Sequence, residues 1–361
     1  MADAKPLTGL KVIELAGVLA GPAVGMFFAE LGAEVIKIEN PETGGDITRN
    51  WKLPSETPDS NISAYFASVN WGKQHRFIDI KSEEGKNEVY SLIKSADIVL
   101  VNYKPGDDAK LGMDYQTLSA LNLKLIYAEL TGFGRDDDRT AFDVIIQAEA
   151  GYMYMNGTPE SGPVKMPVAL MDLLAAHQLK EGTLLALLER AKTGKGCRVS
   201  VNLYESAVAM LANQATNWLM AGQIPQRMAS AHPNICPYGD ILTCSDGKQI
   251  VLAVGTERQF GLLCEILSNS ALVNNEAYSS NSRRVQNRDA LVKELNSLSI
   301  SFTGDNLLQK LREAKVPAGA ILNLQQVFEN PKAQAMVLDE VVGGNITKRV
   351  KTVAFSIKGY E

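Results

Sequence analysis

The chain of 361 residues carries 36 Lys+Arg against 41 Asp+Glu, a formal net charge of −5, with 45% hydrophobic and 21% charged residues. This composition excludes a disordered chain, and the mildly acidic balance supplies no field to hold a polyanion, so nucleic acid is not an expected partner. The length suggests two domains, or one large domain with an insertion.

The first ten residues, MADAKPLTGL, lack a basic region followed by an apolar run and do not read as a signal peptide. No uninterrupted run of about 18 apolar residues occurs, so no membrane span and a cytoplasmic location are expected. Lys11–Leu15 (KVIEL) reads as a buried strand, followed by the Gly/Pro-punctuated GVLAGP turn. A helix over Ala23–Leu31 is stopped by Gly32, and Glu34–Ile38 forms a second strand. An amphipathic helix over Glu83–Lys94 leads to the strand Asp97–Val101, and Leu123–Leu130 is another apolar strand. A helix over Leu173–Lys192 with a Thr193-Gly194 stop precedes the strand Arg198–Leu203 and a long helix from Tyr204 to Gly222. Strands separated by helices of 10–15 residues imply right-handed βαβ units. The predicted fold class is therefore α/β: a Rossmann-like large domain with a mostly parallel sheet, plus a smaller α+β domain.

After Gly222 the composition shifts to Pro225, Pro233 and Pro237, a hairpin-like SDGKQ stretch and polar Ser268–Arg284. Val316–Leu324 reads as a strand that leads the chain back. The expected division is 1–200 with 325–361 as the large domain, 201–225 as a linker helix and 226–324 as the small domain.

Few residues invite a chemical reading on their own. The first βα turn, A16-G17-V18-L19-A20-G21-P22, is not GxGxxG, although Glu39 after the second strand could mimic a ribose-binding carboxylate. Close packing of helix on sheet explains those glycines, and neither nicotinamide nor flavin is expected. Four cysteines, at 197, 236, 244 and 264, show no metal-ligand spacing, so they read as reduced thiols and no metal is expected. His75, His177 and His232 are isolated in sequence, and no serine has a nucleophile-elbow context. Asp172 precedes the Leu173–Lys192 helix after a Gly/Pro-rich loop. It reads either as an N-cap or as a carboxylate kept ionised at a helix start and available as a nucleophile.

The segment GVLAGPAVGMFFAELGAEVIKIENPETGGDITR resembles the N-terminal signature of the class III CoA-transferases, of the formyl-CoA transferase and carnitine CoA-transferase type. Further matches follow in order: N70-W71-G72-K73 with Asp79, ADIVLVNYKPG with Lys110-Leu111-Gly112, LIYAELTGFG, FDVIIQAEAG, and MDLLAAHQLKEGTLLALLERAKTGKG. SDGKQIVLAVGTERQF, RRVQNRDAL and VPAGAILNLQQVF extend the resemblance through the second half.

The resemblance implies that Asp172 is the catalytic aspartate, acting through an aspartyl-acyl anhydride and an aspartyl-CoA thioester. It implies coenzyme A or acyl-CoA as substrate, with Ala20, Asn40, Lys73, Asn102, Tyr103, Lys110, Thr131, Gly132, Phe133 and Gly134 at CoA-binding positions. Lys73 and Lys110 would meet phosphate charge, and Tyr103 would offer adenine a stacking face. The implied partners are an acyl-CoA, a small carboxylic acid and a second copy of the chain in an interlocked homodimer. The site would lie where one subunit's large domain meets its partner's small domain.

Leu19 stands where some relatives place a polar side chain, and Gln74 where an arginine is usual. Both argue against the oxalate/formate substrate pair. An α-methylacyl-CoA racemase of the same fold is the alternative, but Phe142 stands where the racemase has a histidine.

Overall fold

The computed structural model describes residues 5–357, and contact density divides the chain into two units. Of the described residues, the larger comprises 5–152, 165–215 and 334–357, and the smaller 153–164 and 216–333. Residues 153–164 and 325–333, expected in the large domain, therefore group with the smaller unit.

The larger unit is built on six parallel strands: β1 (Lys11–Glu14), β2 (Glu34–Glu39), β3 (Lys73–Phe77), β4 (Ile98–Val101), β5 (Ile126–Thr131) and β6 (Arg198–Asn202). Their order is β3-β2-β1-β4-β5-β6, and every pairing is parallel. The central strands are apolar on both faces, as a sheet covered twice requires. Val12 packs among the residues of α1 (Ala20–Glu30), while its neighbour Ile13 packs against α2 (Glu83–Ile93) on the opposite face. The strand order reverses between β1 and β4, and in such sheets ligands bind beyond the carboxyl ends of the strands at that point.

Helix α1 is buried along its length, from Ala20 through Ala29, so its apolar character runs all round. Two glycines let it approach the sheet. A Cβ on Gly21 would lie 2.4 Å from the Ala16 Cβ, and one on Gly25 would lie 1.8 Å from a Glu14 carboxylate oxygen. The packing explanation of these glycines is therefore sufficient. On the same side, α3 (Asp143–Glu149) and the 24-residue α4 (Leu170–Thr193) complete the layer, and Gly194 ends α4 at φ +70°.

One strand was not expected, and two expectations need correction. The edge strand β3, KQHRF, lacks an apolar run because its outer edge faces no further strand, and it has no strand signature in the sequence. The helix expected over Tyr204–Gly222 is two helices, α5 (Leu203–Ala209) and α6 (Ala212–Ala221), interrupted where Ala212 takes φ +49°. The strand expected over Val316–Leu324 is confined to Ala318–Ala320, and a helix capped reciprocally by Asn323 and Gln326 follows.

The smaller unit holds an antiparallel sheet of β7 (Tyr238–Thr243), β8 (Gln249–Ala253) and β9 (Ala318–Ala320). Its core of Leu242, Leu252, Phe260, Leu291 and Leu307 is wholly buried. Arg284, also buried, forms two bonds to Glu257 at 2.7 and 2.9 Å. Within the larger unit, a C-terminal hairpin of β10 (Val337–Val342) and β11 (Asn345–Val350) is tied down by Arg349 to Glu30 and by the Gly72 amide to Glu340. Among the described residues no helix is long and apolar enough to cross a membrane.

Alanine is ordinarily a better helix residue than glycine by about 1 kcal/mol. Gly25→Ala should nevertheless destabilise the protein by about 3 kcal/mol or more, because the new methyl displaces a buried ion pair. A fall in the denaturant midpoint at unchanged slope checks this.

Candidate active site

The β1–α1 loop forms one wall of the site, and interior charges hold it. Glu14, at the end of β1, is fully buried and faces two lysines. Lys37 Nζ lies 3.0 Å from Glu14 and 3.0 Å from Asp46, and also donates to the Ala16 carbonyl at 2.6 Å. Lys73 Nζ lies 2.8 Å from Glu14 and donates to the Pro22 carbonyl and to Asn70. Two acids and two lysines thus balance in the interior. Burial disfavours the Lys37 charge, but Glu14 and Asp46 outweigh it and hold its pKa above the ordinary lysine value. Burial pulls Lys73 down to about 8, against the attraction of Glu14.

Above this cluster Val18 adopts φ +70°, a left-handed conformation that costs a β-branched residue about 1–3 kcal/mol. Its amide donates to Asp46 at 3.1 Å. The neighbouring Gly17 is clamped at both ends by one side chain. Asn102 Oδ1 accepts from the Gly17 amide at 3.0 Å, and Asn102 Nδ2 donates to the Gly17 carbonyl at 2.8 Å.

Residues after β4 and β5 and the start of α4 close the other walls. The resulting cavity, about 220 Å³, is lined by Gly17–Ala20, Asn102–Pro105, Leu130–Gly132, Arg139–Phe142, Asp172 and Leu203. A second cavity of about 260 Å³ lies past the ends of β1 and β2, and its lining includes Asn40, Lys81 and Tyr103. Tyr103 lines both.

Asp172 is the third residue of α4 rather than its N-cap, and the N-cap, Ala169, contributes no side-chain bond. The capping role belongs to another residue. Asp143, at the start of α3, accepts from the Met171 amide at 2.7 Å and weakly from the Asp172 amide at 3.4 Å. The Asp172 carboxylate is thereby left without a helix to cap. Burial, and then the nearby Asp143 charge, raise its pKa to about 7. Other interior acids have a cation: Glu39 is paired with Arg49, Glu129 with Arg198 and Arg135, and Asp240 with Arg288. Among the described residues no cation pairs with Asp172. Tyr65 also senses this cluster, its phenol raised to about 12 by burial and then by Asp172, Asp143 and Asp46. A desolvated, unpaired carboxylate in a cleft suits a nucleophile or base better than a structural ion pair.

Of the residues singled out from sequence, Ala20, Asn102, Tyr103, Thr131, Gly132 and Asp172 share the first cavity, and Asn40 lies with Tyr103 in the second. Phe133 stands behind the lining, its ring 3.8 Å under the Arg139 guanidinium, and Gly134 turns at φ +105° beside Thr131. Lys73 and Lys110 do not join them. All the hydrogen bonds of Lys73 run inward, and Lys110, exposed, pairs with Asp107 at 2.8 Å. The sequence reading missed Val18, Lys104, Arg139 and Asp143. The first three sit in irregular loops without a periodic signal, and Asp143 lies inside the FDVIIQAEAG segment with nothing local to mark it.

The family model CoA-transferase family III matches residues 7–358. The chain is 38% identical to a succinate–glutarate CoA-transferase of Agrobacterium fabrum, over 96% of this chain and 88% of that protein. It is 34% identical to the succinyl-CoA:glutarate CoA-transferase of Homo sapiens, over 92% of this chain and 75% of that protein. A CaiB/BaiF family protein from Brucella suis superposes with a TM-score of 0.85 at 38% identity, covering 99% of this chain and 93% of the other. These matches, spanning both units, confirm the resemblance read from the sequence: the chain belongs to CoA-transferase family III, and it is an acyl-CoA-utilising transferase.

Proposed function

We propose that Asp172 is the nucleophile that carries CoA from an acyl-CoA donor to a carboxylic acid acceptor. The observation that carries this reading is a half-buried carboxylate with no cation partner among the described residues, in a cleft walled by the β1–α1 loop. In the first step the carboxylate attacks the thioester carbonyl, the C–S bond breaks, and an aspartyl-acyl anhydride and CoA thiolate form. The thiolate then attacks the aspartyl carbonyl, giving an aspartyl-CoA thioester and releasing the donor acid. An acceptor carboxylate runs the two steps in reverse. Acyl activation is preserved at every stage, so water must be kept from both intermediates.

CoA would lie across both cavities, with Tyr103 between them as the stacking face. The exposed Lys104 and Arg139 replace Lys73 as the cations for its phosphates. The named relatives act on succinate and glutarate, and C4–C5 dicarboxylates are the first donors and acceptors to test. Two exposed apolar stretches support a homodimer: Trp218, Leu219 and Met220 on α6, and Leu185 and Leu188 on α4. The proposed dimer is interlocked.

Incubation with succinyl-CoA, followed by a borohydride or hydroxylamine quench and intact-mass measurement, should reveal a modification that maps to Asp172 and is absent in Asp172→Ala. The absence of any adduct, with deuterium from heavy water entering an acyl α-carbon, would replace this reading with a racemase.

The ionised carboxylate is the reactive form, so turnover should rise with pH along a limb near 7, the raised Asp172 value. The stability effect has the opposite sign. The folded state holds this proton more tightly than the unfolded chain, so ionising Asp172 destabilises the fold between pH 3.8 and about 7. Asp172→Asn should therefore raise the melting temperature above pH 7, by about 2 °C or more. That gain should shrink as the pH falls below 7.

Light scattering on dilution should keep the mass of two chains, because linked rings separate only on unfolding. A monomer at low concentration would exclude the interlocked form.

A further inference from the structure

We infer that Asp46 is a positioning residue for CoA transfer, which acts by holding Val18 in its left-handed conformation and thereby setting the wall opposite Asp172. The inference rests on the reading of that cleft as the transfer site.

The argument starts from the loop itself. Val18 and its neighbours Gly17, Leu19 and Ala20 line the cavity that contains Asp172. A β-branched residue at φ +70° returns to the extended region unless its surroundings prevent it. Asn102 holds Gly17, but the Val18 amide has a separate anchor in Asp46.

Both Asp46 oxygens are engaged. Oδ1 accepts from the Thr48 amide at 3.0 Å and the Thr48 hydroxyl at 2.8 Å. Oδ2 accepts from the Val18 amide at 3.1 Å and faces Lys37 Nζ at 3.0 Å. Every partner is a donor, so an amide side chain cannot replace the carboxylate. An asparagine would turn its NH₂ toward either Val18 and Lys37 or Thr48, leaving donors opposed. The side chain is buried, so solvent does not substitute for the lost acceptor. Glu14, Lys37 and Asp46 form a continuous path from the sheet to the loop. The requirement for an acid at 46 thus follows from a strained residue 28 positions earlier in the chain.

The test is a cycle of Asp46→Asn, Val18→Gly and the double variant, read by turnover and by amide hydrogen exchange of the peptide containing residues 15–20. Glycine adopts the left-handed conformation without strain, so Asp46 matters less once Val18 is replaced. Asp46→Asn alone is expected to lower kcat about 10-fold or more and to speed exchange of the loop peptide, with KM changed less than kcat. In the Val18→Gly background the same substitution should cost no more than about a third of that factor. If Asp46→Asn does not fold, Thr48→Val removes one donor from Oδ1 while keeping the charge pair, and should shift both readouts in the same direction by less. Equal losses in the two backgrounds, or lost turnover with unchanged exchange, would overturn the inference. An enzyme that fails to form the Asp172 adduct refutes the nucleophile reading instead, and the exchange cycle still decides the role of Asp46.

Discussion

The balanced quartet of Glu14, Lys37, Asp46 and Lys73 is the constraint on which the larger unit depends. Isolated buried charges are costly, and ion pairs in a protein interior repay that cost only when geometry and hydrogen bonds are complete. Here the acids lie within 3.0 Å of their lysines, and backbone carbonyls take further lysine donors. The quartet also dictates sequence around it. Gly25 is small because Glu14 occupies the space above it, and β3 delivers Lys73 from the sheet edge. The N-terminal signature thus supplies two members of this buried cluster, Lys37 and Asp46, and the helix α1 whose Gly25 makes room for Glu14.

That cluster and Asp172 illustrate opposite uses of burial. In the quartet each acid faces a lysine within 3.0 Å, and the charges serve the packing of the unit. At Asp172 burial and the charge of another acid, Asp143, push the carboxyl up to about 7. Asp143 meanwhile satisfies the free amides at the start of α4, which an N-terminal carboxylate of the helix would otherwise take up. One residue thus both caps the helix and, by its charge, adds to the upward shift of Asp172.

Much of this was legible in the sequence, unevenly. Strands β1, β2, β4 and β5 announce themselves as short apolar runs bounded by Gly, Pro or charged helices, and Gly32 and Gly194 mark the helix stops they were expected to be. The polar edge strand β3 did not, because one of its edges pairs with nothing and its side chains carry no apolar pattern. The break at Ala212 has no Gly or Pro to signal it. Lys73 reads as a phosphate ligand by position and is instead committed to Glu14, a distinction that depends on which face of β3 it occupies.

By itself the sequence determined the α/β class, the mostly parallel sheet and the family, and it singled out the aspartate at 172. These follow from local periodicity and from motifs read in order along the chain. The tertiary structure alone decided that Asp143 rather than Asp172 caps α4, that Asp46 anchors Val18, and that Lys73 points inward. Each of these pairs residues distant in sequence, and their charge and hydrogen-bonding roles depend on burial and on distances of a few ångströms that no linear pattern encodes.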